Sequence, residues 1–416
     1  MHCTAPIQTN QPAASPARHS DGGPLTRLEV SEVTTPAGLS ELCAEWSALL
    51  ASSPEATPFQ AWEWIEPWWR HLGRGHPLVL LAHEGGRLVG LLPLYRARRF
   101  GLRRIACMGE PGSDYHALLA LPGWEAACRE AFWHHLYSRR THWDVVDLQQ
   151  LPEGSTLAQP VGNGWLRPRL SLIRLCPVVE LPDSWERFKA RLGKNLRGSL
   201  GRRLRQLQRA FGQVALETVG PDAIEATLEA LFQQNSQRWQ RRGRRGFFDH
   251  PANRAWQKEA APGLQRRGML RLHRLVVDGR ICATSYCVRH GARVIYYNGG
   301  FDLALARYSL GNVLMAYAIE QAIREGASVF DFARGQESYK YEWGGQDRRS
   351  YRLILSHGTV RSWLALGLAE AETHIERAAS NLVPLLWGRQ SIFHHLHLHR
   401  HLQRWLHRRC EAAPEG

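Results

Sequence analysis

The order of apolar and polar segments repeats once along the chain, and this repeat restricts the fold more than any other feature. In the first half, Asp114 leads through a helical stretch (125–137) to the apolar strand WDVVDL (143–148), which carries Asp147. In the second half, Asp302 leads through a helical stretch (312–325) to SVFDF (328–332), which carries Asp331. A meander of three strands precedes each: 76–83, 88–96 and 103–108, then 269–277, 281–289 and 293–300. The meanders turn at Gly85-Gly86 and Asp278-Gly279, dipeptides that supply the positive φ of a tight hairpin. Helical patterns come before both meanders, at 39–50 and 62–72 and again at 222–239 and 256–267. Further strands are expected at 25–30 and 351–356. The fold class that follows is α/β (α+β): two units, each a mixed, mostly antiparallel sheet flanked by helices.

A chain of 416 residues exceeds one typical compact domain, which agrees with two units. Lys and Arg number 53 against 38 Asp and Glu, a net charge of +15, which favours phosphorylated or polyanionic partners. Nine of those cations and no acid fall in 187–209, where Leu192, Leu196, Leu200, Leu204 and Leu207 are spaced by three or four. The segment 185–211 is therefore expected as one basic amphipathic helix, its charged face either solvated or anion-binding. Eight cysteines without a CxxC pair predict buried, reduced thiols in a cytoplasmic protein and no metal. No apolar run reaches the length of a membrane span. Residues 1–24 are polar and rich in Ala, Pro and Ser, and are expected as a disordered tail. From Arg361 a helix is expected to about residue 379, followed by His394, His395, His397, His399, His401 and His407 among Leu and Arg. That end reads as a metal site, a membrane- or partner-touching element, or a plain amphipathic tail.

Four phrases stand out: TPFQAWEWIEPWW (57–69), GEPGSDYHALL (109–119), GGFDLALARYSLG (299–311) and VFDFARGQESYKYEWGG (329–345). With the element order, they resemble the GNAT superfamily of acyl-CoA N-acetyltransferases. Residues 45–350 are most similar to the CelD-type, cellulose-biosynthesis-associated acetyltransferases. That family is itself similar to the Fem peptidyltransferases, which carry two GNAT-like units. The resemblance implies a degenerate GNAT-like unit over 25–170, a linking strand and basic helix over 171–220, and an acyl-CoA-binding unit over 221–360. Residues 361–416 form a helical, His/Arg-rich end outside it.

The resemblance also implies chemistry. GNAT proteins hold the donor's pyrophosphate on an Arg/Gln-x-x-Gly-x-Gly/Ala loop at a helix N-terminus, where free N–H groups and the dipole meet the anion. The corresponding stretch here is Arg307-Tyr308-Ser309-Leu310-Gly311-Asn312: Arg307 matches, while Leu310 and Asn312 stand at the glycine positions. Tyr297, Asn298 and Arg334 would line the donor arm between two splayed strands. Tyr297 and Asn298 alternate, so only one faces substrate. Tyr339 stands about where relatives carry the acid that protonates the leaving thiolate, with Tyr341 its close rival. Lys340 stands where Fem-like relatives contact phosphate or charge. Asp331, Glu337, Glu342 or a water chain would serve as base. Asp114, Tyr115, His116, Arg238 and Trp239 are candidates for the acceptor side, and Arg241–Arg245 for a phosphate clamp. The implied reaction transfers an acyl group from acetyl-CoA or another acyl-CoA to an amine or hydroxyl of a sugar or polysaccharide-related acceptor. The resemblance implies direct attack in a ternary complex, and no cysteine sits in a nucleophile motif that would support a covalent acyl-enzyme. Two alternatives stand beside it: a Fem-like transferase using aminoacyl-tRNA, and a non-catalytic accessory of exopolysaccharide or cellulose assembly. Association with a polysaccharide synthase or the inner membrane surface fits any of the three.

Overall fold

The computed structural model describes residues 28–159 and 167–371, apart from 242 and 244. The expected tail 1–24, the His-rich end beyond 371 and two arginines of the 241–245 run lie outside the described residues. The first half runs β1 (Glu29–Val33), α1 (Pro36–Glu41), α2 (Cys43–Ser52), α3 (Trp62–Leu72), β2 (His76–Glu84), β3 (Arg87–Arg99), β4 (Leu102–Cys107), β5 (Leu119–Ala120), α4 (Glu125–Ser138), β6 (Val145–Pro152) and β7 (Arg167–Glu180). Helices α5 (Trp185–Arg191) and α6 (Lys194–Ala210) connect the halves. The second half runs β8 (Val214–Thr218), α7 (Ile224–Gln240), α8 (Pro251–Arg266), β9 (Leu270–Val277), β10 (Arg280–His290), β11 (Arg293–Phe301), α9 (Leu310–Arg324), β12 (Val329–Asp331), α10 (Ser338–Glu342) and β13 (Gln346–Ser356). A further helical stretch covers 360–371.

One sheet spans both halves, in the order β1-β2-β3-β4-β6-β13-β7-β12-β11-β10-β9-β8, with β5 on β3. The two meanders are antiparallel, and each fifth strand returns parallel to the fourth: β4 with β6, β11 with β12. The last strands are exchanged. β7, from the first half, pairs with β12 of the second. β13, from the second half, pairs with β6 of the first, and the two exchanged strands pair with each other.

Burial follows the apolar pattern. β2 and β3 are buried through their middles, as expected of strands covered on both faces. The largest core crosses between the units: Phe59, Trp64 and Trp68 from the first pack with Phe232, Trp256, Tyr286 and Tyr297 of the second. Trp64 meets Trp256 and Tyr297 edge-on, with ring centroids 4.6 and 5.1 Å apart. The expected single helix over 185–211 is two. Leu192 and Gly193 are extended (ψ 144° in both), so the intrahelical bonds stop, and Gly193 becomes the N-cap of α6. On α6 the leucine stripe still holds: Leu196, Leu200 and Leu207 are buried and Arg202, Arg205 and Arg209 exposed. β13 begins five residues before the expected strand, because its exposed start is recruited by β7. The six described cysteines are buried thiols. Among the described residues, no helix is long and apolar enough to cross a membrane, and no group of His, Cys, Asp or Glu is placed to hold a metal ion.

Candidate functional site

The site lies where β11 and β12 part. They share three rungs, Arg293↔Val329, Val294↔Phe330 and Ile295↔Asp331. Beyond these, β11 continues along β10, while the chain after Asp331 keeps to β7, with Phe332 N donating to Pro177 O at 2.9 Å, and turns away from β11. Ala333, at φ +53°, makes that turn in the left-handed region, a strained conformation for a residue with a side chain. The strands therefore diverge from Ile295 and Asp331 onward.

The first unit closes one side of this opening with its loop 109–116. Tyr297 Oη donates to Gly112 O at 3.1 Å, and Arg334 Nη2 to Pro111 O at 3.2 Å. Arg334 also forms an ion pair with Asp114, and Tyr115 Oη donates to Asp331 Oδ1 at 3.0 Å beside the Cys176 thiol. From within, Trp64 Nε1 donates to Ser113 Oγ and Gln60 Nε2 to Tyr115 O. Gly112 lies against Trp256, where a Cβ would come within 2.4 Å of the ring, so only glycine fits. Asp114, Tyr115 and His116 are all buried. Burial pushes the Asp114 carboxyl up although Arg334 opposes it, and pulls the His116 imidazole down to about 3, so it stays neutral. Its Nε2 has no hydrogen-bond partner.

The corresponding opening in the first unit is filled with charge. There β4 and β6 share two rungs, Arg104↔Val145 and Ile105↔Val146. Arg104 thus corresponds to Arg293, and Asp147 to Asp331, two positions along the fifth strand. Asp147 is held by Arg104 at 2.8 Å and by Arg352 of the exchanged β13 at 2.7 and 2.8 Å, while Arg104 also takes Glu110. Burial alone would raise the Asp147 carboxyl; Arg104 and Arg352 overcome it and hold it well below the usual range. In the second unit Arg293 stays 3.8 Å from Asp331 with its side chain 43% exposed. Asp331 Oδ1 accepts from Tyr115 and from Ala333 N (2.7 Å), and Oδ2 has no hydrogen-bond donor at 1% exposure. Burial lifts this carboxyl to about 6.

A cationic pole lies beside the opening. Ser309, at φ +54°, precedes the first turn of α9 and makes no side-chain cap; Leu310 is itself fully buried, while Gly311 is partly exposed in that first turn. A Cβ on Gly311 would meet only ordinary contact with Phe301, so the chain itself does not demand glycine there. Arg307 is exposed, lies over the Tyr308 ring and donates to its hydroxyl at 2.9 Å. Tyr308 is buried against Phe211, and Asn312 lies in the first turn. Arg203 of α6 donates to Arg307 O at 2.8 Å, which docks the basic helix on this loop.

Other expected site residues are placed as follows. Tyr339 is half-buried and stands edge-on to Phe332, with Tyr296 beside it; its phenol is pushed well above its ordinary value by burial. Tyr341 is exposed and donates to Asp347 at 2.8 Å. Lys340 is 2% exposed and fully engaged: Arg334 O at 2.9 Å, Gly335 O at 3.2 Å and Glu337 at 3.0 Å. It braces the loop from within rather than reaching outward for a phosphate, and it occupies Glu337. Asn298 accepts from Asn235 and from Gly299 N, and Tyr297 turns into the inter-unit core. Trp239 is buried; Arg238 is half-buried and acts on Tyr296 and Tyr339. Sequence reasoning missed the Tyr115–Asp331 bond, the docking of Arg203 and the role of Arg352.

The family described as "Acetyltransferase (GNAT) domain" matches residues 194–341. No curated protein matches the chain. Among solved structures, FemX superposes with a TM-score of 0.54 at 10% identity, covering 78% of this chain and 96% of its own. A conserved protein of unknown function from Bacteroides thetaiotaomicron gives 0.52 at 11%, covering 78% and 100%. The C-terminal DUF2156 domain assigned to a lysylphosphatidylglycerol synthetase of Agrobacterium fabrum gives 0.50 at 14%, covering 80% and 96%. The fold is thus a tandem GNAT-like α/β fold whose second half carries the GNAT match. At these identities the solved structures speak for the fold alone.

Proposed function

We propose that the chain is an acyltransferase that takes an acyl group from acetyl-CoA or a longer acyl-CoA on its second unit. The acceptor is an amine or hydroxyl of a sugar- or polysaccharide-related molecule, bound between the units. The observation that carries this reading is the opening between β11 and β12 beside the uncapped, Arg-flanked start of α9. Both features fall inside 194–341, the stretch similar to the GNAT domain. The partly exposed Gly311 at the start of α9, with the exposed Arg307, suits a pyrophosphate; β11 from Tyr296 onward, past its last rung with β12, offers an edge to the donor's amide arm. The first unit, its own opening filled by Arg104, Asp147 and Arg352, serves as the acceptor-side wall. This agrees with the CelD-type resemblance, which carries the choice of acceptor class.

The test is titration calorimetry with acetyl-CoA, CoA and a longer acyl-CoA, with Arg307→Ala as control. Micromolar binding that weakens in the variant supports the reading, and no heat with any CoA species refutes it. One observation favours a second reading: α6 exposes Lys194, Arg197, Arg202, Arg205 and Arg209 beside the same loop, and the fold is similar to FemX. In that reading the donor is an aminoacyl-tRNA, whose binding falls steeply with salt. Silence toward both donors would favour a non-catalytic accessory.

A further inference from the structure

We infer that Asp331 is the carboxylate that takes the acceptor's proton, and that Tyr115 of the first unit is its positioning residue, so the reacting centre is assembled from both units. This rests on the acyltransferase reading above and deepens it. Four observations converge. Asp331 stands on the last shared rung, where β11 and β12 diverge. Its Oδ1 is fixed by Tyr115 Oη at 3.0 Å and Ala333 N at 2.7 Å, which aims the donor-free Oδ2. Oδ2 has only the distant charge of Arg293 Nη1 at 3.8 Å, and a buried carboxylate oxygen without a hydrogen-bond donor is costly and calls for a use. The rival carboxylates are engaged or remote: Glu337 by Lys340, Asp114 by Arg334, and Glu342 exposed at the far end of α10. Finally, the same Arg and Asp pair occurs in the first unit, where Arg352 closes it into a saturated cluster. The two copies therefore serve opposite ends.

The groups facing Asp331 are Arg293 from β11, Tyr115 and Asp114 from the loop, and Cys176 from β7. Asp331 Oδ2 accepts the proton of the acceptor's N–H or O–H as that atom attacks the donor's carbonyl carbon. The new C–N or C–O bond forms and the C–S bond breaks. The departing sulfur takes the phenolic proton of Tyr339. Asp331 then releases its proton to water, and Tyr339 recovers one. Tyr115 touches neither reactant; it holds the carboxylate in register.

The test uses the full chain with Asp331→Asn and Tyr115→Phe. The infrared difference between wild type and Asp331→Asn reads the Asp331 carboxyl directly and needs no substrate. Its midpoint is expected near 6 and should rise in Tyr115→Phe, which removes a donor from the carboxylate. Acetyl-CoA binding by calorimetry should be unchanged in both variants. With glucosamine as the acceptor probe, Asp331→Asn should lose about 100-fold or more in thiol release. Tyr115→Phe should lower turnover by less than Asp331→Asn does and move the acid limb of its pH profile upward. A carboxyl titrating in the ordinary aspartate range, or a midpoint indifferent to Tyr115→Phe, overturns the inference. So does undiminished turnover in Asp331→Asn by a protein that binds acetyl-CoA. A wild type that binds no acetyl-CoA overturns the acyl-CoA reading itself, and this inference with it.

Discussion

Exchanging Asp331 for asparagine removes a charge that the fold penalises, whereas the same exchange at Asp147 removes one that it needs. Burial moves the Asp331 carboxyl from 3.8 to about 6. At about 1.4 kcal/mol per pH unit, keeping it ionised costs the folded state about 3 kcal/mol. The folded chain holds this proton more tightly than the unfolded one. The associated stability is therefore complete below the unfolded value and is lost as pH rises through about 6. Asparagine still offers Tyr115 and Ala333 an acceptor, without the charge. Asp331→Asn is thus expected to stabilise the chain at neutral pH by up to about 3 kcal/mol, with the gain vanishing below about pH 4. Asp147→Asn takes the shared carboxylate from two buried guanidiniums and leaves Arg104 with Glu110 alone, a loss of about 3–5 kcal/mol. Because the Asp147 carboxyl is held below its ordinary range, that loss persists at pH 4 and fades only in stronger acid. Urea midpoints of both variants at the two pH values check this. A destabilising Asp331→Asn at neutral pH, or a gain that survives acid unchanged, would refute the reasoning.

Gly112→Ala drives a methyl into Trp256 at 2.4 Å and is expected to cost about 1–3 kcal/mol in urea melts; it should also raise the pH midpoint of Asp331 by displacing Tyr115. Arg334→Met strands Asp114 as a buried, unpaired carboxylate, a loss of about 3–5 kcal/mol at neutral pH. Because the carboxyl then titrates still higher, that loss should shrink in acid, which melts at two pH values will show. A chain cut between Gly212 and Gln213 should give halves that do not unfold cooperatively alone but do so when mixed; a half that folds by itself would contradict the strand exchange.

The meanders, their hairpin turns and the paired strands WDVVDL and SVFDF could be read from alternation and turn residues, because their partners are sequence neighbours. The exchange of β7 and β13 could not. Their partners lie in the other half, and nothing in RPRLSLIRLCPVVE marks which edge it joins. The break at Leu192-Gly193 was masked by a leucine spacing that runs on through it, although a glycine inside a helical pattern is the signal for such a stop. In the site, Asp331 was visible as the polar residue of an apolar strand, and Tyr339 through the GNAT resemblance alone. Tyr115 and Asp331 are 216 positions apart, and no local pattern joins them. Lys340 illustrates the converse. The Fem-like resemblance suggested an outward role for it, but its ammonium is consumed by two carbonyls and Glu337.

The exchanged strands explain why the two units diverged in chemistry while keeping one pattern. Because β13 lies against β6, Arg352 reaches Asp147 and saturates it; the first opening is thereby closed by a residue of the second unit. Because β7 lies against β12, it sets Cys176 beside Tyr115, whose loop is carried across to Asp331. The titratable β7 side chain that senses the second carboxylate is thus a thiol, where β13 offers the first one a guanidinium. A thiol raised by burial to about 12 carries no charge at neutral pH and cannot pin a carboxylate as a guanidinium does. One exchange of strands therefore yields a neutralised, load-carrying aspartate in one unit and an under-coordinated one in the other. The second unit cannot present Asp331 in this state without the first, which supplies both the strand beside it and the phenol that holds it.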